Sequence, residues 1–333
     1  MKVVAVVGML ALLGQAAYAH HSTASVYDRS RIIEAEGEIT EVVWANPHVR
    51  FAMRSVEPDG RERIWDIESN SVSIVSRFGL TTGLVAVGNR VKVAGNGGRV
   101  DDDVLWVTNM LLPTGEEILF GARIEPRWSD RTIGRDIRGA VAADRSDELG
   151  IFRVWTNVTT PPAFWGDRHP LTPAAAAARA AFDPIANDPT VNCAPKGMPY
   201  IMEQPYPLQF VDEGDEILMR MEEYDTVRRI AMTADADGGA RGAARLGRST
   251  GRWEDETLVI ETADIDYPYF NATGIPLTRA ARIEERFALN DGGSRLGYTM
   301  IVTDPATFTE PVTLTKAWEW RPGEEVRPYD CRQ

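Results

Sequence analysis

The chain has 333 residues, is 44% hydrophobic, and sets 36 Lys and Arg against 49 Asp and Glu, for a formal net charge of −13. That acidity argues against nucleic acid and against anionic lipid headgroups as partners, because both recruit basic surface. The length exceeds what one hydrophobic core usually supports and predicts two domains.

The chain opens with Lys2, an apolar run over 3–13 and the tripeptide Ala17-Tyr18-Ala19. This pattern reads as a secretory signal peptide with cleavage after Ala19, so an exported, periplasmic or secreted protein is expected. No later stretch approaches the ~20 apolar residues of a membrane-spanning helix, and no transmembrane segment is expected. The processed chain would begin His20-His21-Ser22, carrying two of only four histidines.

From 32 to 120 the sequence predicts short strands separated by turn signals. The first runs over 32–44 and stops at Ala45-Asn46-Pro47; the second covers 48–56 and ends at Glu57-Pro58-Asp59-Gly60, a strong hairpin turn. A third follows over 61–67. Val72, Val75 and Phe78 then fall near helical spacing, predicting a helix over 70–78 closed by Gly79. Strands over 89–94 and 104–112 complete the set. Three strands, a helix and two strands is the order of an OB-like five-stranded barrel, here assigned to residues 20–120.

Residues 121–205 form a connector rich in Pro, Asp, Arg and Trp. One helix is predicted over 173–182, with Thr172 as N-cap and Pro173 in the first turn. Residues 206–333 read as antiparallel β: strands over 208–212, 216–224, 226–232, 257–263, 279–289, 295–303 and 312–320. About seven strands at this spacing predict a barrel or sandwich of lipocalin-like size. The fold class is therefore mainly β.

Cys193 and Cys331 are the only cysteines. In an oxidising compartment a single pair is most simply a disulfide, here tying the chain's end to the connector. A thiol nucleophile or metal ligand is the weaker reading, since neither has a CxxC partner or a neighbouring histidine.

Two segments, Ala19-His20-His21-Ser22 and Val43-Trp44-Ala45-Asn46-Pro47-His48, resemble the start of an uncharacterised family of exported bacterial proteins, one of the domains of unknown function. Its pattern is a His-His-Ser start and a Trp-x-Asn-Pro-His turn. Pro205-Tyr206-Pro207 and the stretch from Gly251 to Val259 resemble the β-rich portion found beside it in longer members. The resemblance implies a two-part periplasmic protein and implies no reaction. Where such members often carry Trp-Glu-Gly-Asp-Thr-Leu, this chain has Trp253-Glu254-Asp255-Glu256-Thr257-Leu258, without the glycine.

Two constellations carry candidate chemistry. The first is His20, His21 and His48. A free α-amine and imidazoles are nitrogen donors suited to copper(II) in tetragonal geometry; zinc would accept the same set with a carboxylate such as Asp28. The second lies in the C-terminal sheet. Strand alternation puts Glu223 with Ile217, Met219 and Met221, Glu285 with Ile283 and Phe287, and Lys316 with Val312, Leu314 and Trp318. Charges on apolar faces are costly unless paired or solvated, so Glu223 and Glu285 are acid–base candidates with Lys316 as electrostatic partner. Trp253, Trp318 and Arg252 are candidate ligand contacts. Arg228-Arg229 beside Asp225, and Arg252 beside Glu254 and Asp255, read either as anion clamps or, as is commoner in such hairpins, as members of surface ion pairs. His169 stands in the connector without a serine or cysteine partner. There is no phosphate loop, dinucleotide fingerprint or nucleophile elbow, and no nucleotide cofactor is expected.

The leading expectation is an exported binding protein with a copper or zinc site at its processed N-terminus. The alternatives are a hydrolase, lyase or isomerase acting on a small apolar molecule in the C-terminal barrel, or a cell-envelope interaction module without a small ligand.

Overall fold

Turn chemistry and strand alternation build the first sheet as the sequence predicts. A computed structural model describes residues 26–121, 124–134, 150–159, 168–184, 186–233, 244–290 and 292–331. Its first five strands are β1 (Tyr27–Val43), β2 (Arg50–Val56), β3 (Glu62–Glu68), β4 (Arg90–Gly98) and β5 (Val104–Leu111), with helix α1 (Val72–Arg77) between β3 and β4. They lie in the order β3-β2-β1-β4-β5, and a parallel β3–β5 pairing closes the ring. This is the OB-like order. β1 is long enough to serve both β2 and β4, and its register shifts between Ile39 and Glu41 as it passes from one to the other. Where the β4–β5 register shifts between Ala94 and Gly95 the backbones come close: a Cβ on Gly95 would stand 2.1 Å from the Trp106 carbonyl oxygen. β6 (Glu117–Leu119) and β7 (Thr132–Ile133) extend the sheet beyond β5.

The α1 helix starts where Ser71 Oγ accepts the Ile74 N–H at 3.3 Å, and Gly79 follows its end at φ +80°. Its Val75 packs with Phe51, Met53, Trp65, Ile67, Val93, Leu105 and Val107 in the first core.

The second body is a closed barrel of nine strands. β8 (Val154–Thr159) precedes helix α2 (Pro173–Ala180), whose Thr172 Oγ1 accepts the Ala175 N–H at 3.2 Å. There follow β9 (Leu208–Asp212), β10 (Glu216–Met221), β11 (Thr226–Ala231), β12 (Arg248–Glu254), β13 (Thr257–Ala263), β14 (Arg282–Asn290), β15 (Arg295–Thr303) and β16 (Val312–Trp320). The ring runs from β10 through β16 to β8 and β9.

All seven expected strands are present, and two more complete the circle. β12 escapes a reading by apolar alternation because Arg-Ser-Thr-Gly-Arg-Trp-Glu turns only Ser249 fully inward. β8 lies inside the segment read as connector, and its consecutive buried Trp155 and Thr156 break the two-residue period. The ring is antiparallel except where β11 meets β12 through Ile230–Ser249 and Ala231–Thr250. The β12–β13 hairpin makes its tight turn without a glycine, since Asp255 itself takes φ +53°. Aspartate tolerates this left-handed region better than most residues.

Cys193 and Cys331 form a disulfide across 138 residues of sequence. No described helix is long and apolar enough to cross a membrane.

Candidate functional site

The turn between β1 and β2 does several jobs at once. Asn46 Oδ1 accepts the Val72 N–H at 3.1 Å, helping to start α1, and the Asn46 N–H donates to the Asp330 carbonyl at 3.3 Å. Pro47 follows through a cis peptide bond. Two residues after Asn46, His48 Nδ1 lies 3.0 Å from the Ser69 carbonyl oxygen. A carbonyl oxygen can only accept, so Nδ1 carries a proton, and in the neutral ring the lone pair lies on Nε2. This is the outer-shell arrangement that orients metal-binding imidazoles. The His48 ring stands edge-on to Trp106 with centroids 5.3 Å apart, and Tyr27 packs on the same indole at 5.7 Å.

Tyr27 Oη donates to buried Glu68 at 2.8 Å, and Arg50 Nε lies 3.8 Å from the other oxygen of that carboxylate. Burial, then the Glu68 charge, pushes the Tyr27 phenol far above its ordinary range, so it stays a neutral donor. His20 and His21 lie outside the described residues. Asp28 is half-buried, and its Oδ1 accepts both the N–H and the hydroxyl of Ser30. Among the described residues no group of three or more His, Cys, Asp or Glu is arranged to hold a metal ion.

The barrel interior carries two separate sets of buried charge. In one, Arg228 reaches inward from β11. It donates to Ser249 at 3.0 Å, to Thr262 at 2.5 Å and to Glu285 at 3.0 Å, with a second, shorter bond to the same carboxylate. Tyr298 completes Glu285 with a 2.7 Å bond. Arg228 is thus not part of a surface ion pair. Thr226, Arg228 and Ile230 form the inward face of β11, and extending the alternation argument to that strand finds it. Its neighbour Arg229 does pair near the surface, with Glu216 at 2.7 Å.

The other set closes one end of the barrel. Lys196 Nζ donates to Glu223 at 2.9 Å and lies 4.0 Å from Glu203. Lys316 Nζ donates to the carbonyls of Met202 at 3.1 Å and Gln204 at 2.5 Å, clamping the short turn that carries Glu203, and lies over the Trp318 ring at 4.9 Å. Burial pushes the Lys316 ammonium down to about 7, although Glu203 and Glu223 pull the other way. Burial likewise raises the Glu203 carboxyl well above its ordinary range. For Lys196 the two carboxylates outweigh burial and hold it above its ordinary value.

Of the sequence candidates, Glu223 and Lys316 therefore meet in one cluster, while Glu285 belongs to the Arg228 pair. Trp318 lies between them, 5.5 Å from Tyr298 and under Lys316. Trp253 is 43% exposed on the outside of the barrel, 6.2 Å from Phe152. Arg252 is an exposed partner of Glu254 and Glu261. His169 lies edge-on to Phe270 at 5.1 Å, in an aromatic setting that suits packing. Sequence reasoning missed Lys196 and Glu203, which lie in irregular backbone where no period marks an inward position. A shallow cavity of about 700 Å³ lies elsewhere, beside Arg248, Thr250, Glu261, Arg282 and Glu284.

Residues 8–103 match the model of a family of unknown function (DUF6152). The match takes in the His20-His21-Ser22 stretch and the turn ending at His48, and it stops before the barrel. The resemblance to an uncharacterised domain family thus holds for this part of the chain. No curated protein matches it.

Proposed function

We propose that the protein is exported with cleavage after Ala19 and binds a transition-metal ion, copper ahead of zinc. His20 supplies its amine and imidazole, His48 closes the site, and His21 is an additional donor. The observation that carries this reading is the pinned His48 ring: its Nδ1 proton is committed to the Ser69 carbonyl, leaving Nε2 as the donor atom. The start of β1 favours it too, because Tyr27 and His48 pack on one indole. Val26 stands six positions after His20, a reach of up to about 20 Å in extended chain. Neutral imidazole and a free amine are ligands that copper(II) prefers over the oxygen-rich sets taken by calcium or magnesium.

The test is copper(II) titration of protein beginning at His20, followed by Trp106 fluorescence. Tight binding is expected, with a loss of tenfold or more in His48→Ala and in a form extended by one residue before His20. Equal affinity in all three would overturn the reading.

A second reading, acid–base chemistry on a small apolar molecule in the barrel, draws on Lys316. An ammonium pushed to about 7 beside Glu203 and Glu223 is a group that can give and take a proton near neutrality. Loss of a turnover in Lys316→Met but not in His48→Ala would favour it over the metal site.

A further inference from the structure

The segment after β16 is tied to both domains and has almost no regular structure of its own. Glu324 accepts from Arg77 of the first domain at 3.1 Å and from Thr156 of the barrel at 3.2 Å. The Arg327 N–H donates to Glu222 at 3.0 Å and the Tyr329 N–H to Asp225 at 3.1 Å. The buried Tyr329 ring packs on Tyr206 and Tyr224 with centroids 5.5 and 5.0 Å away. Asp330 then accepts from Asn46, and Cys331 makes an isolated bridge with Asn46 before its bond to Cys193. The strap thus ends on the turn that carries His48 two residues later.

Both cysteines are half-buried and lie in neither hydrophobic core. Cys193 also sits at φ +56°, a left-handed conformation that L-residues adopt at a cost.

The geometry points to a redox-operated clasp: opening the Cys193–Cys331 bond by a dithiol releases the strap 321–331 and loosens the first domain on the barrel. One thiolate of the reductant attacks a cystine sulfur and expels the other as thiolate. Its second thiol then displaces the mixed disulfide. Two electrons and two protons pass to the cysteines, and the reductant leaves as its own disulfide. With the strap free, the Asn46 turn loses Asp330 and Cys331, and the backbone that carries His48 is held by fewer contacts. This last link rests on the metal reading of His48.

The test is hydrogen exchange on the full processed chain, oxidised and after dithiothreitol. Exchange should quicken tenfold or more in 322–331 and 70–78, while β13 to β15 keep their protection. Unchanged strap protection overturns the clasp, and so does loss of protection in the barrel strands together with the strap. Because dithiols chelate and reduce copper, the link to His48 is read in the oxidised wild type against Cys193→Ser/Cys331→Ser. The double variant should bind copper(II) at least tenfold more weakly, and equal affinity overturns the link. Failure of the oxidised wild type to bind copper removes the metal reading alone and leaves the exchange result standing.

Discussion

Arg77, on helix α1 of the first domain, donates to Glu222 at the end of barrel strand β10 at 2.8 Å, across 145 residues of sequence. The Glu222 carboxylate is fully buried and also accepts from Ser73 and the Arg327 N–H. A buried carboxylate with its cation removed is strongly unfavourable. Arg77→Met should therefore destabilise the protein by about 3 kcal/mol, and Glu222→Gln by less, since it keeps the shape. Denaturant unfolding would check this. The joint also predicts that Arg77→Met splits one unfolding transition into two, as each domain keeps its own core. A single transition with an unchanged midpoint would show that the pair does not couple them.

The Arg228–Glu285 pair inside the barrel gives a sharper contrast. Glu285→Leu alone strands a buried guanidinium and should cost roughly 3–5 kcal/mol. Replacing both, as Arg228→Met with Glu285→Leu, removes the desolvation of two ions and should recover most of that loss. Urea midpoints of the two variants decide it; equal losses would mean that Ser249, Thr262 and Tyr298, not the ion pair, hold the centre.

Lys316 makes stability depend on pH with a defined sign. Its folded value of about 7 lies below the ordinary 10.5, so between those limits the unfolded chain holds the extra proton. Stability contributed by this group must then rise with pH across that window, by up to about 1.4 kcal/mol per unit. Below pH 7 the cost of burying the charge is fully present. Glu203 acts oppositely: its raised folded value means stability falls as pH climbs from the ordinary carboxylate range through that value. The wild type should therefore gain on Lys316→Met as pH goes from 7 to 10, measured by denaturation at each pH. A constant difference would place the Lys316 pKa near that of free lysine.

Asp255 predicts a gain. At φ +53° it occupies a turn position whose backbone conformation favours glycine. Asp255→Gly relieves the left-handed cost and should stabilise the barrel by up to about 1 kcal/mol, seen as a raised Tm. A lowered Tm would mean that the lost backbone entropy outweighs the relief.

Much of this fold is legible before any coordinates. The five strands and helix of the first domain follow from turn residues and spacing that act over a few positions, such as Glu57-Pro58-Asp59-Gly60 and the Ser71 cap. Alternation likewise put Glu285 and Lys316 on apolar faces, and both are buried. The limit of that reasoning is visible at β12, whose outward residues are polar and whose place depends on neighbours, not on its own period.

Local pattern in the chain is enough to say which residues turn inward along most strands, where the chain turns, and that two cysteines can pair. Who meets whom is settled by the way the strands come together. Glu223 faces Lys196 and not Glu285, Arg228 crosses to Glu285, and the final segment reaches back to Asn46. The reason is physical: inward or outward is fixed by local backbone geometry with a period of two. Partnership depends on the summed register of nine strands and on closures between residues far apart in sequence, the disulfide across 138 residues among them, which no local pattern encodes.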